Sequence, residues 1–362
     1  MGLDYRPIRK LVRRERAERY MLLVLLCLAG TVSFTRFFLE LSGYPQIGNS
    51  ELHIAHVLWG GLLLFAGALL PLIYANRTVF DLSAILAGVG MGLFIDEVGK
   101  FITQSNDYFF PAAAPIVYML FLMTLWVYLL VRSKQQPNPR SLLYEVFSML
   151  GEYLDKDFSE IEKNKILEQL ALARALDTEG EYGDLVNSIE GFLLGNQIQL
   201  VAHQDDFLSR FLKPIIEFEE THLPERRFRR LLVFALGLWG LITVANPFIS
   251  ILLSSKGVTV SGLWAELINT NLPLLTESSA VLLIRLFGEI LVGVILLVCA
   301  FFLCVGKKRI AVHVAHTTLL ISICGLYFLV FYFDQFSAIV YVLIQFIVFT
   351  LVSRYKHKIC AC

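Results

Sequence analysis

The chain alternates long apolar blocks with short polar ones, and the blocks predict most of the architecture. Apolar runs cover about 20–42, 53–74, 82–103 and 111–132, then, after a long polar interval, 231–253, 279–304, 310–333 and 335–353. Each reaches the roughly 18 residues that a helix needs to cross a bilayer. The pattern predicts an all-α, polytopic transmembrane helix bundle of about eight spans. The interval at 133–229 differs in kind. It opens on Gln135-Gln136-Pro137-Asn138-Pro139, which reads as a helix-hostile linker. Leu142 to Leu154 and Phe158 to Ala175 then place leucines on one face and charges on the other, and Asp177-Thr178-Glu179-Gly180 reads as a turn. Three parts follow: an N-terminal four-span bundle at 1–132, a helical domain at 133–229 and a C-terminal four-span bundle at 230–362.

Charge then orients the spans. Seven basic residues lie between Arg6 and Arg19, ahead of the first apolar run. No small-residue cleavage site follows that run, so it reads as an uncleaved span rather than a signal peptide. With eight spans, this N-terminus, Arg77, Arg132 with Lys134, Arg226–Arg230, Lys307–Arg309, and Arg354 with Lys356 and Lys358 share one side. The opposite loops at 43–52, 104–110 and 254–278 hold only Lys256. The positive-inside bias therefore places both termini and the 133–229 domain in the cytoplasm. That domain offers a docking surface for a cytoplasmic protein partner.

Composition agrees. Apolar residues make up 56% of the chain and charged residues 17%, against about 25% charged in soluble domains. Net charge is zero, which gives no field for nucleic acid. The expected partner is the lipid bilayer. The six cysteines are scattered and form no disulfide framework. His203 and His222 have no partner at ligand spacing, and His313 and His316 fall near the cytoplasmic end of their span.

Charges inside spans carry the functional signal, because each costs about 2.5–3.5 kcal/mol at bilayer depth unless it is paired, hydrated or in use. Arg36 and Glu40 in the first span, His53 and His56 in the second, Asp96, Glu97 and Lys100 in the third, and Arg285 and Glu289 in the sixth all fall in the outer half. They read as one cluster. His53 and His56 are three apart and share a face that Trp59 extends. Arg36/Glu40, Asp96/Lys100 and Arg285/Glu289 are four apart and predict ion pairs within their own helices. Glu97 is then left without a local partner. Gly88 and Gly92 form a small-residue face for close helix approach, with Asp96 one turn further on the same stripe. Asn246-Pro247 predicts a kink in the fifth span.

Three readings of the cluster are open. His53, His56 and Asp96 are suited to bind a divalent metal such as zinc or iron, with Glu97 as the general base of an intramembrane metal-dependent enzyme. The same groups, with Arg36, Glu40, Lys100, Arg285 and Glu289, suit a proton or ion relay in transport or signalling. As a structural scaffold, they simply neutralise one another and fix helix packing.

His53-Ile-Ala-His56-Val-Leu-Trp59-Gly60-Gly61 and Gly90-Met-Gly-Leu-Phe-Ile-Asp96-Glu97-Val-Gly-Lys100-Phe-Ile-Thr103, followed by Asn106-Asp107-Tyr108, resemble segments of a group of uncharacterised bacterial multi-pass membrane proteins. The resemblance covers under a fifth of the chain. It implies a bacterial inner-membrane location and no mechanism.

Overall fold

The computed structural model describes residues 11–43, 56–108, 110–133, 136–177, 180–195, 198, 200, 201, 214, 224–255 and 279–360. Among them there is no strand, only an isolated parallel bridge between Ser159 and Val201. The first helices are α1 (Ala17–Ser42), α2 (His56–Ile73), α3 (Arg77–Asp96), a short α4 (Val98–Ile102) and α5 (Ala113–Arg132). The polar interval forms α6 (Pro139–Leu154), α7 (Glu160–Leu176) and α8 (Gly183–Leu194). After it come α9 (Glu225–Ser255), α10 (Ser279–Cys304), α11 (Lys308–Ile321), α12 (Tyr327–Asp334) and α13 (Ala338–Cys360).

Among the described residues, seven helical stretches are long and apolar enough to cross a membrane. Phe37, Phe65, Trp126, Phe234, Phe287, Phe301 and Ile347 on these helices are exposed. In water so much bare apolar surface would drive association, whereas hydrocarbon accommodates it. The last stretch runs 52 residues from Lys308 to Ile359. A straight helix of that length would extend about 78 Å, more than twice the ~30 Å hydrocarbon layer. It does not run straight. A π-helical turn at Ser322–Leu326 joins α11 to α12, and a 3-10 turn at Gln335–Ser337, with Gln335 at φ 50°, joins α12 to α13. α13 then packs back along α11. The His316 and Phe349 rings lie 4.9 Å apart, Gln345 donates to the Leu319 carbonyl at 3.4 Å, and Val312, Val352 and Tyr355 share one apolar core.

The chain divides into two compact units. The first comprises Met1–Cys27, Leu62–Val89 and Thr124–Leu212. Its apolar core is built by Val146 and Met149 of α6, Ile166 and Leu170 of α7, and Val186, Ile189 and Leu193 of α8, with Phe158 between α6 and α7. The expected linker at Pro137–Pro139 is in fact a helix start. Asn138 caps α6 by accepting from the Ser141 N–H, and Pro139 occupies the first turn, where its missing N–H costs nothing. Ser159 and Glu162 form a second capping box on α7.

Basic residues of this unit form an ion-pair network. Arg77 pairs with Glu15 and Glu152. Arg16 lies 3.6 Å from Glu152 and 3.9 Å from Glu162, and Lys165 lies 3.6 Å from Glu15. Arg13 donates to the Ser133 carbonyl at 2.8 Å and to that of Val131. α1 and α3 meet closely at Gly88, where a Cβ would stand 2.6 Å from the Val24 carbonyl oxygen.

The second unit comprises Leu28–Gly61, Gly90–Met123 and Lys213–Cys362. Its main core joins Leu232, Leu236 and Trp239 of α9, Leu296 and Leu303 of α10, and the α11 and α13 residues above. Two glycines let α9 and α10 cross with their backbones in contact: a Cβ at Gly240 would stand 2.9 Å from the Gly293 carbonyl oxygen. Tyr118 of α5 donates to the Ile323 carbonyl at 2.6 Å, and its ring lies 4.5 Å from that of Phe331.

Candidate functional site

Within the second unit, small residues press α3 against two neighbours. A Cβ at Gly92 would stand 2.8 Å from the Thr31 Cβ of α1, and one at Gly60 of α2 would stand 2.8 Å from the Gly90 carbonyl oxygen. Asp96 lies four residues beyond Gly92 and so faces α1, as the sequence pattern predicts. At Glu97 (φ −92°, ψ 11°) the regular helix is interrupted, and α4 follows. Thr103 then ties the chain back: its hydroxyl donates to the Gly99 carbonyl and accepts from the Asp107 N–H, both at 2.8 Å. Asn106 takes φ 52°, a left-handed conformation that asparagine tolerates better than most residues. This return carries Tyr108 over Asp96.

Asp96 is fully buried and forms the hub. Its Oδ1 accepts from Arg36 Nε at 2.5 Å, and its Oδ2 accepts from the Tyr108 hydroxyl at 2.7 Å and faces His56 Nε2 at 3.1 Å. Arg36 also donates to the Asp96 backbone carbonyl at 2.8 Å. The guanidinium carbon lies 4.1 Å from the Tyr108 ring centre and 3.3 Å from that of Phe336. Contacts of a desolvated cation with ring faces contribute roughly 0.5–2 kcal/mol each. Glu97, also buried, accepts from Lys100 Nζ at 2.6 Å and from the Val57 N–H at 3.2 Å, and its Oε1 lies 3.4 Å from His56 Nδ1. His56 thus stands between two buried carboxylates on α3 and its break, while part of its own side chain stays exposed.

Arg285, Glu289 and Asp334 form a second group. Arg285 Nε donates to Glu289 at 2.9 Å, and its two terminal nitrogens donate to the two Asp334 oxygens at 2.8 and 2.5 Å. The turn between α12 and α13 serves both groups, supplying Asp334 to one and Phe336 to the other.

Several expected pairings are therefore corrected. Arg36 pairs with Asp96 across helices and not with Glu40, which is exposed and makes no ion pair among the described residues. Lys100 pairs with Glu97 and not with Asp96. Glu97, expected to lack a partner, has three. Arg285 does pair with Glu289, but Asp334 takes its other two donors. The single expected cluster is two groups. Trp59 is exposed rather than continuing the His56 face inward. His53 lies outside the described residues. Asp334 and Tyr108 were not anticipated as site residues, although Asp334 is the only carboxylate between Arg309 and Arg354.

Among the described residues the donor set does not suit a resident metal; His53, the other expected ligand, lies outside them. Among the described residues no three His, Cys, Asp or Glu side chains are grouped to hold an ion. Both ring nitrogens of His56 face carboxylates, and the Asp96 oxygens are taken by Arg36, Tyr108 and His56. An ion ligated by Asp96 would have to displace a guanidinium already held there.

Tyr108→Phe is expected to destabilise the protein by about 1.5–3 kcal/mol, the cost of losing a hydrogen bond to a charged acceptor. Tyr108→Ala is expected to cost more, because the ring over Arg36 goes too. Equilibrium unfolding in detergent measures both, and equal losses would show that the ring contributes nothing beyond the hydroxyl. Searches of protein-family models, of curated proteins and of solved structures each found no match to this chain.

Proposed function

We propose that this chain is an eight-span membrane protein, with both termini and the α6–α8 domain in the cytoplasm. Its charge network around Asp96 and Glu97 is the working element of a transport or signalling activity. The hairpin between α11 and α13 supports counting the last apolar stretch as two spans, and the one-sided distribution of basic residues supports the orientation. The segments at 53–61 and 90–108, through their resemblance to bacterial multi-pass proteins, support an inner-membrane location.

The observation that carries the reading is the position of His56. A neutral imidazole has one N–H to offer two carboxylates, whereas the protonated ring has two. Arg36 and Lys100 already balance Asp96 and Glu97, so a proton on His56 adds an uncompensated charge and a second donor together. That proton ties the first turn of α2 more firmly to the break after α3.

Hydrogen exchange of the full chain in lipid nanodiscs tests this. After correction for the intrinsic pH dependence of exchange, amides 57–62 are expected to become better protected as pH falls from 8 to 5. In His56→Gln the protection is expected to be flat. A pH response that survives in the variant, or none in the wild type, removes His56 as the working group.

A further inference from the structure

Within the second unit, α9, α10, α12, α13 and the π-helical turn enclose a cavity lined by Thr243, Asn246, Glu289, Ser322, Tyr327 and Gln345, among others. The cavity leaves about 30 Å³ for the centres of water-sized groups. One water needs about 10–15 Å³ on that measure. That is space for two or three waters, or for one small ion with a water.

Its charge is unbalanced. Among the described residues Arg285 is the only cation paired with the two carboxylates Glu289 and Asp334, and it spends two donors on Asp334 and one on Glu289 Oε1. One negative charge remains, and it is Glu289, with a side chain 8% exposed, that lines the cavity with an oxygen left over. Tyr327 and Tyr341 are the other titratable groups on the lining besides Asp334.

Two further features point the same way. Ser322 is 1% exposed and Tyr327 6% exposed, yet neither hydroxyl makes a hydrogen bond among the described residues, although both residues line the cavity. A ligand in the cavity would give both hydroxyls a partner. Pro247 also has no N–H, so the Thr243 carbonyl loses its helical donor beside the same space. Carboxylate, hydroxyl and freed carbonyl oxygens are hard ligands, of the kind that broken membrane helices offer to sodium ions and protons.

We propose that this cavity binds one small monovalent cation, a sodium ion or a proton, at Glu289. A single excess negative charge matches a monovalent ion and leaves a divalent one overcharged. Glu289 supplies the charge, while Ser322, Tyr327 and the Thr243 carbonyl replace water around the ion.

The test uses the full chain in nanodiscs, with thermal unfolding followed in sodium chloride and in choline chloride at equal ionic strength. Sodium binding is expected to raise the midpoint saturably, as a ligand of the native state does. Glu289→Gln is expected to abolish the rise, and Ser322→Ala to raise the half-saturating concentration about tenfold, as loss of one ligand does. If the two salts act alike, infrared difference spectra between high and low pH identify the proton. A protonated-carboxyl band that disappears in Glu289→Gln and shifts in Ser322→Ala assigns it to this site. Should Glu289→Gln not fold, Ser322→Ala carries the test, because its hydroxyl has no side-chain hydrogen bond among the described residues to lose. A sodium response and carboxyl band unchanged in Ser322→Ala, a response that persists in Glu289→Gln, or no response of either kind in the wild type overturns the proposal.

Discussion

Asp96→Ala is expected to lower the stability of the folded protein by about 3–5 kcal/mol, the cost of leaving one partner of a buried ion pair behind. Arg36 would remain buried between the Tyr108 and Phe336 rings with no counter-ion. Tyr108 and His56 would lose their acceptor in the same step. Combining Asp96→Ala with Arg36→Met removes the stranded charge and is expected to recover most of the loss, because a buried pair and an apolar replacement of similar volume are often close in energy. Reversible unfolding in mixed micelles, followed by tryptophan fluorescence, measures all three proteins. A single variant within about 1 kcal/mol of wild type, the range of a solvated pair, would show that Asp96 is not the hub. A double variant no better than the single would show that the loss lies elsewhere than in the stranded guanidinium.

The second large effect is expected at Arg285. Arg285→Ala leaves Glu289 and Asp334 facing the same buried space with nothing to neutralise them. A loss of about 3–5 kcal/mol is again expected, and Arg285→Ala with Asp334→Asn is expected to restore part of it by removing one of the two charges. Lys308→Ala is the control. Lys308 and Glu225 are 35% and 58% exposed, and solvent-screened pairs contribute about 0–1 kcal/mol. If Arg285→Ala costs no more than Lys308→Ala, the Arg285 group is a surface feature and the bidentate contact to Asp334 has no energetic weight.

These expectations depend on partners that helical spacing did not reveal. Arg36 and Glu40 are one turn apart on α1, so an i,i+4 pair between them is sterically available. It does not form because Glu40 is exposed, and a screened pair gains too little to hold two long side chains in place. Asp96 sits instead in a dry contact between α1 and α3, where an unpaired carboxylate is costly and Arg36 is the cation in reach. Lys100 moves to Glu97 for a related reason. The helix breaks at Glu97, so the regular spacing from Asp96 to Lys100 no longer places both on one face. Tyr108 comes from a turn, which has no periodicity to read, and Asp334 is the last residue of α12, far in sequence from the Arg285 it meets.

Runs of contiguous apolar residues were enough to locate the membrane-compatible helices, because hydrocarbon solvation acts on each stretch of chain by itself. The glycine stripe at Gly88 and Gly92 was legible for the same reason: the absence of side chains along one helix face is a local property. Which carboxylate each guanidinium meets, the division of the charges into two groups, and the polar cavity beside Glu289 were decided only when faces of different helices came together. Desolvation and ion pairing depend on what stands opposite, and no single helix carries that information.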